Sequence, residues 1–273
     1  MQQYVDNPFN SPSILSLCPG VLGLERGLER AIGPVRVAAY VEIEAFIIAN
    51  LVAQMEQGKL AAAPIWSDVK TLNARLFRNK VHGIIGGYPC TPFSVIGKQT
   101  GGGHESHLWP YIHGHIGVIQ PIFCWFENVV NHINIGYQQV KSELEAYGYT
   151  VKEGIYSALE AGATHTRERL FILAVDHSRC KGLQGYSWDD SAEKGWKEPG
   201  RSISKASVFP RERGLSQFEW EQPRTLNTKS GMGCTIDGYN YREDLLRAYG
   251  NSVVEQVAEI AFRDLLRKHF GSN

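Results

Sequence analysis

The chain has few of the features that mark several protein classes. Its five cysteines (Cys18, Cys90, Cys124, Cys180 and Cys234) are odd in number, and none stands in a Cys-x-x-Cys or Cys/His cluster at zinc spacing. That argues against a disulfide framework and a structural metal, and fits a reduced, intracellular setting. The N-terminus lacks a basic stretch followed by an apolar run, so no signal peptide is expected. No apolar run approaches the ~18 residues that span a bilayer, so no membrane partner is expected either. Charge of one sign is not in excess: the net charge is +0 and the pI about 7.1. Composition therefore does not advertise a nucleic-acid binder, and a local basic surface would have to do that work. There is no internal repeat and no low-complexity tract.

Core-building material is plentiful. The 273 residues are 43% hydrophobic and 21% charged, as in an ordinary globular protein of one large domain or a large and a small one. Short apolar runs alternate with amphipathic stretches. The pattern predicts strands over 14–18, 35–42, 83–86, 121–127 and 169–175, and helices over 22–32, 45–56 and 138–147. Such alternation implies an α/β fold with a mostly parallel sheet covered by helices, with ligands beyond the carboxyl ends of the strands. The texture changes near Asp176. Residues 177–230 are irregular and carry ten Lys/Arg against seven Asp/Glu. A helix-like segment, 242–268, follows. The expected division is a catalytic and cofactor-binding domain over 1–175, a small irregular basic insert over 176–241, and a return to the first domain over 242–273.

The loops after strands carry the chemistry. The first strand runs into Cys18-Pro19-Gly20-Val21-Leu22-Gly23-Leu24, where glycines let a ligand approach the opening of a helix, or simply make a turn. The second strand ends at Glu42, an acid placed to accept from a ribose diol, or a surface carboxylate. Cys90 sits between Pro89 and Pro92 in a stiff loop at a strand's carboxyl end. That setting favours a nucleophile over a buried, inert thiol. Glu127-Asn128-Val129 ends the next apolar strand. A carboxyl group there faces the same crevice and can hold a proton if apolar walls raise its pKa. On a strand, Arg167 and Arg169 would point to one face and suit phosphate or carbonyl recognition, or form a surface ion-pair ladder. Asn251 and Ser252 open the last helix, first of all as caps.

In this order the motifs resemble those of the cytosine-5 DNA methyltransferases. The family's first motif, Phe-x-Gly-x-Gly-Gly, corresponds to residues 18–23, with Cys18 for Phe and Leu22 for Gly. Glu42 matches its ribose-binding acid and Asp68 its adenine-binding acid. Pro89 to Ser94 matches the Pro-Cys-x-Pro-Phe-Ser nucleophile loop without departure. Glu127 to Val129 is Glu-Asn-Val. Residues 165–169 match Gln-x-Arg-x-Arg with His165 for Gln, and Gly250 to Val253 is Gly-Asn-Ser-Val. The stretch from Gly101 to Trp109 lacks the Asp and Arg that the family often carries there. The insert is short, like that of compact phage and prophage members.

The resemblance implies a Rossmann-like S-adenosylmethionine-dependent methyltransferase with a small target-recognition insert. Its cofactor would be held by Cys18, Pro19, Gly20, Gly23, Leu24, Glu42, Ile43, Asp68, Val69, Pro89, Asn251 and Ser252, leaving S-adenosylhomocysteine as product. Cys90 would attack C6 of a cytosine flipped out of double-stranded DNA. Glu127 would bind N3 and the exocyclic amine, Asn128 hold the loop, Arg169 bind O2, and Arg167 a nearby backbone or phosphate. A monomer in the cytoplasm of a bacterial or phage-infected cell is implied, as is a restriction-modification setting. Trp188, Trp196 and Trp220 read as core of the insert rather than DNA contacts. Three alternatives stay open: RNA (tRNA) cytosine-5 methylation by the same chemistry, a catalytically idle DNA-binding scaffold, and a cysteine hydrolase using one of His104, His107, His113 or His115.

Overall fold

The computed structural model describes residues 11–89, 108–163, 166–180 and 252–270. Seven strands form one sheet: β1 (Ser13–Leu17), β2 (Arg36–Val41), β3 (Ile65–Trp66), β4 (Gly83–Gly86), β5 (Phe123–Val129), β6 (Thr150–Tyr156) and β7 (Arg169–Val175). Their order is β3-β2-β1-β4-β5-β7-β6. The ladders among β1 to β5 are parallel, whereas β7 runs antiparallel to both β5 and β6. The expected mostly parallel sheet is therefore present. The strand order reverses at β1 and β4, the crevice where such sheets take ligands.

Six helices are described: α1 (Gly23–Ile32), α2 (Ala45–Glu56), α3 (Trp109–Ile119), α4 (His132–Ile135), α5 (Tyr137–Ala146) and α6 (Glu255–Phe270). They cover both faces of the sheet. Alternate residues of β5 show how. Phe123 and Trp125 enter one core with Leu28, Ala258 and Phe262, whereas Cys124 and Phe126 enter another with Ile112, Ile116 and Leu144. The same alternation sends the next two side chains, Glu127 and Asn128, to opposite faces.

Four elements are absent from the sequence reading, namely β3, β6, α3 and α4. The expected last helix over 242–268 is not helical at 252–254, so α6 begins at Glu255 and Ser252 lies three residues before it. Strand β6 (TVKEGIY) was not expected, since its half-exposed residues give no clean apolar alternation. As the edge strand it needs only one covered face. Helix α3 begins at Trp109 and has Pro at its first turn, a favourable position for proline. Its two glycines and two histidines hide its apolar face (Ile112, Ile116, Ile119).

The chain returns to its first helix through α6. Glycines at 23 and 27 make this approach possible. A Cβ at Gly23 would lie 2.0 Å from the carbonyl oxygen of Val253, and one at Gly27 would lie 2.4 Å from the Ala258 Cβ. Arg30 fastens the pair at the rim with a 2.7 Å contact to Glu259. None of the helices of the described residues is long and apolar enough to cross a membrane.

Helix α1 also carries a buried acid. Glu25 is 5% exposed, accepts a hydrogen bond from Ser16 Oγ on β1, and leaves its second oxygen, Oε2, buried with no hydrogen-bond partner. Burial pushes its pKa from 4.5 up to about 7. The folded chain thus keeps a proton that the unfolded chain releases above its own lower pKa. Glu25 therefore contributes stability that is fully present below pH 4.5 and lost as pH rises through about 7. Glu25→Gln keeps the shape without the ionisation. Urea unfolding at pH 5 and pH 8 should show the Gln variant gaining on the parent by up to ~3 kcal/mol over that window. A constant difference would refute the assignment.

Candidate active site

The carboxyl ends of β1, β2, β4 and β5 and the start of β7 meet at one edge of the sheet. β7 reaches that edge because it is antiparallel: Arg169, its first residue, pairs with Val129, the last residue of β5. Glu127 stands diagonally across the ladder, and Arg169 Nε lies 2.9 Å from Glu127 Oε1. Glu127 is only 7% exposed. Burial raises its pKa to about 7, although Arg169 and Arg167 pull it down. Its other oxygen faces the root of the cysteine loop, since a Cβ at Gly87 would be 3.2 Å from Glu127 Oε2. Asn128, on the opposite face, donates from Nδ2 to the Tyr88 carbonyl oxygen at 3.2 Å, and its Oδ1 accepts from Val129 N–H at 2.9 Å. Both residues of the Glu-Asn pair thus touch the segment that leads into Cys90.

Both arginines act on the Glu127 carboxyl, as their pairing in the sequence suggests, but strand alternation places only Arg169. The ladder starts at Arg169 and Arg167 precedes it, free of the strand's alternation. The Arg167 guanidinium donates from Nη2 to the Ser252 carbonyl oxygen at 2.8 Å. It joins the segment before α6 to the site.

The second cluster is the turn after β1. Cys18, Gly20 and Leu22 all have positive φ (52°, 54° and 70°). The family's glycine at the position of Leu22 would hold this left-handed conformation without strain. Here Leu22 adopts it and fills a pocket with Tyr40, Ile47 and Leu51. The Cys18 thiol is pushed up to about 12 by burial and by Glu42, so it stays protonated. Pro19, next in the chain, is buried, and Leu24 is buried in the core on the other face of the sheet. Glu42 is 6% exposed; its Oε1 accepts from the N–H groups of Ile43 and Glu44 at 2.8 and 2.9 Å, and its Oε2 faces Gly20 N at 3.5 Å. Asp68 ends the run after β3 and accepts from Lys70 N–H at 2.9 Å. Val69 is buried next to it, and its carbonyl oxygen is 2.7 Å from His115 Nε2. Pro89 is exposed at the last described position before Cys90.

This cluster fits a nucleoside cofactor. A Cβ at Gly20 would meet nothing within 4 Å, so open space lies over the turn. The N-terminus of α1 carries no side-chain cap. Ile43, 69% exposed, offers an apolar surface beside the Glu42 carboxylate. Cys90, Asn251, His165, the stretch 101–107, His104, His107 and the three insert tryptophans lie outside the described residues. The sequence reading missed Ser16, Glu25, Tyr88 and His132. Glu25 had a signal, since it stands three and seven residues before Leu28 and Ile32 and so shares their buried helix face.

A model of the family described as C-5 cytosine-specific DNA methylase matches residues 13–233. Type II methyltransferase M.NmeDI of Neisseria meningitidis serogroup C is 32% identical over 144 residues, which is 47% of this chain and 34% of that protein. Type II methyltransferase M.CviJI of Paramecium bursaria Chlorella virus IL3A is 27% identical over 264 residues, 95% of this chain and 60% of that protein. The chain thus spans less than two thirds of the length of these curated relatives. Among solved structures, a DNMT2 mutant from Spodoptera frugiperda superposes with a TM-score of 0.51 at 19% identity, covering 61% of this chain and 51% of that one. A protein encoded within an E. coli prophage superposes with a TM-score of 0.50 at 26% identity, covering 62% and 47%. The architecture is that of a Rossmann-like methyltransferase.

Two outcomes follow from this geometry. Truncation of Leu22 should reverse the usual order of alanine and glycine. Leu22→Ala keeps the left-handed strain and loses the packing, whereas Leu22→Gly loses the packing but relieves the strain. Urea unfolding should place both below the parent, with the Gly variant ~1 kcal/mol above the Ala variant. If Gly is the less stable of the two, Leu22 is not strained. In Arg169→Leu, the Glu127 carboxyl loses its nearest cation, so its pKa should move above about 7, read as a carboxylic-acid infrared band that persists to higher pH. An unchanged titration would show that the 2.9 Å contact does not tune Glu127.

Proposed function

Because the chain belongs to the C-5 cytosine-specific DNA methylases, we propose that it methylates cytosine in double-stranded DNA at C5 through a covalent bond between Cys90 and C6 of the ring. The observation that carries this reading is the buried Glu127 carboxyl, held by Arg169 on one oxygen and set against Gly87, three residues before Cys90, with the other.

Cytosine C5 is a weak nucleophile. When the Cys90 thiolate adds to C6, the electrons of the C5–C6 double bond are driven into the ring, and N3 gains basicity. Glu127, with its pKa near neutrality, gives N3 a proton. C5 then has enamine character. Arg169 holds Glu127 in place and takes up O2 of the ring, and Asn128 fixes the backbone that enters the Cys90 loop. Arg167 anchors the segment before α6. S-adenosylmethionine, the cofactor of the family and fold, supplies the methyl group as a sulfonium electrophile. Glu42 would take the ribose hydroxyls and Ile43 and Asp68 the adenine, with Cys18, Pro19, Gly20, Gly23, Leu24, Val69, Pro89, Asn251 and Ser252 lining the remainder. Once C5 carries the methyl group, a base removes the C5 proton, the C6–sulfur bond breaks, and Cys90 leaves as thiolate.

The target atom is inaccessible in a stacked duplex, so the base must be flipped into the site. We assign reading of the flanking sequence to the insert over 176–241, whose stretch 177–230 carries ten Lys/Arg against seven Asp/Glu. The type II methyltransferases among the relatives suggest a restriction-modification role.

Transfer of labelled methyl groups tests the reading. The parent should label duplex DNA and not tRNA, and Cys90→Ser should lose at least ~1,000-fold in rate while still binding duplex DNA. Full turnover by Cys90→Ser would remove the nucleophile, and label in tRNA alone would move the substrate to RNA.

A further inference from the structure

A polar pair lies in the largely apolar layer behind the root of the cysteine loop, beside the buried amide of Asn128. Tyr88 stands two residues before Cys90 and is 4% exposed. Its ring packs against Trp109 and meets Phe126 edge-on. His132 is 6% exposed and opens α4, five residues after Glu127. Its Nε2 lies 3.1 Å from Tyr88 Oη. The two rings stand at 80° with centroids 5.7 Å apart. Gly136 makes room for the imidazole, since a Cβ there would sit 2.7 Å from His132 Cε1.

Two apolar side chains would fill this space without desolvating a hydroxyl and an imidazole. The polar pair therefore calls for a reason other than packing. Its position supplies one. Tyr88 is gripped twice: its carbonyl oxygen by Asn128 and its hydroxyl by His132. Both partners belong to the chain that continues from Glu127. Burial lowers the His132 pKa, which keeps the ring neutral so that one nitrogen can accept from the phenol.

We propose that Tyr88 and His132 are a positioning pair that sets the approach of the Cys90 loop to Glu127. The hydrogen bond fixes the Tyr88 ring, the Asn128 bond fixes its carbonyl, and the peptide leading to Pro89 and Cys90 departs from a defined point. The pair thus governs how closely the sulfur and the Glu127 proton converge on one ring. This inference rests on the assignment of Cys90 as nucleophile.

The test is the rate of covalent trapping. A duplex of several kilobases with 5-fluorocytosine in place of cytosine holds many sequence contexts, and fluorine at C5 blocks release of the adduct. Tyr88→Phe keeps the ring and deletes only the hydroxyl. It should slow adduct formation about 10-fold at a temperature where the variant is fully folded, leaving S-adenosylmethionine affinity by calorimetry unchanged and lowering the midpoint of thermal unfolding by only a few degrees for the lost buried bond. His132→Leu should slow it similarly. The double variant should show the same ~10-fold loss, because both changes cut one bond. Parental rates in Tyr88→Phe, a multiplied loss of ~100-fold in the double variant, or an equal loss of cofactor affinity would each overturn the proposal. If the parent forms no adduct that Cys90→Ser abolishes, the nucleophile assignment fails, and the pair's proposed role falls with it. That result is distinct from a parent that traps normally and a Tyr88→Phe variant that traps equally well.

Discussion

Glu127 is nearly buried, and Arg169 reaches it only because β7 runs against β5. In a parallel strand the first residue would lie at the far end of the sheet, about 13 Å along the strand from Glu127 and about 20 Å from the end of β5. Reversal of one strand brings an arginine, and the loop before it, to the edge where the other strands deliver their carboxyl ends. The rest of the site follows from that reversal. Arg167 comes with the same loop and ties down Ser252, which brings the segment before α6 alongside the turn after β1. The pair is weak evidence for stability, since desolvation offsets much of its attraction. Its effect is to hold a carboxyl group at a fixed height against the backbone of Gly87.

The turn after β1 shows a different balance. Three of its residues take positive φ, and two of them are not glycine. A left-handed leucine costs about 1–2 kcal/mol, whereas burying its side chain among Tyr40, Ile47 and Leu51 returns a comparable or larger amount. The altered residues therefore still form the turn: the departure from the family pattern changes what fills the space beneath it, and Gly20, above it, remains open. Gly23 cannot be exchanged in this way, because its missing side chain is the room that Val253 occupies.

Much of this architecture was legible in the sequence. β4 and β7 were placed to the residue, and β1 to within one, because strands buried on both faces read as short apolar runs between turn residues; α1 was placed to within one by its amphipathic pattern. The edge strand β6 was not legible, since Lys152, Glu153 and Gly154 interrupt its pattern. Glu127, Asn128 and Glu42 were legible as acids and amides at strand ends, which is a local property. The bond from Arg167 to the Ser252 carbonyl oxygen was not, because it depends on where the β5–β7 ladder stops and on the return of the chain before α6. The Tyr88–His132 bond joins residues 44 apart and leaves no periodic trace in either segment.

Two carboxyl groups, Glu25 and Glu127, have pKa values raised to about 7 by burial, yet their surroundings give the protons different meanings. Glu25 faces a hydroxyl on β1 in a closed core, and its second oxygen has no partner. Ionising it would place an uncompensated charge between helix and sheet, so its proton is part of the packing. Glu127 has the same desolvation but two guanidinium groups that favour the anion. There the arginines offset part of the desolvation, and the net effect leaves the carboxyl near neutrality, where changes in the surroundings decide whether the proton is held. An aromatic ring that displaces water from the site would strengthen both desolvation and the arginine attraction. In the proposed reaction, a proton accepted at N3 would neutralise the charge that the thiolate brings to the ring, and the carboxylate left behind would be held by the two guanidinium groups. A carboxyl group held only by burial would resist that transfer, and one exposed to water would have no proton to give at neutral pH. The position between those limits is created jointly by the apolar end of β5 and by the strand that runs the wrong way beside it.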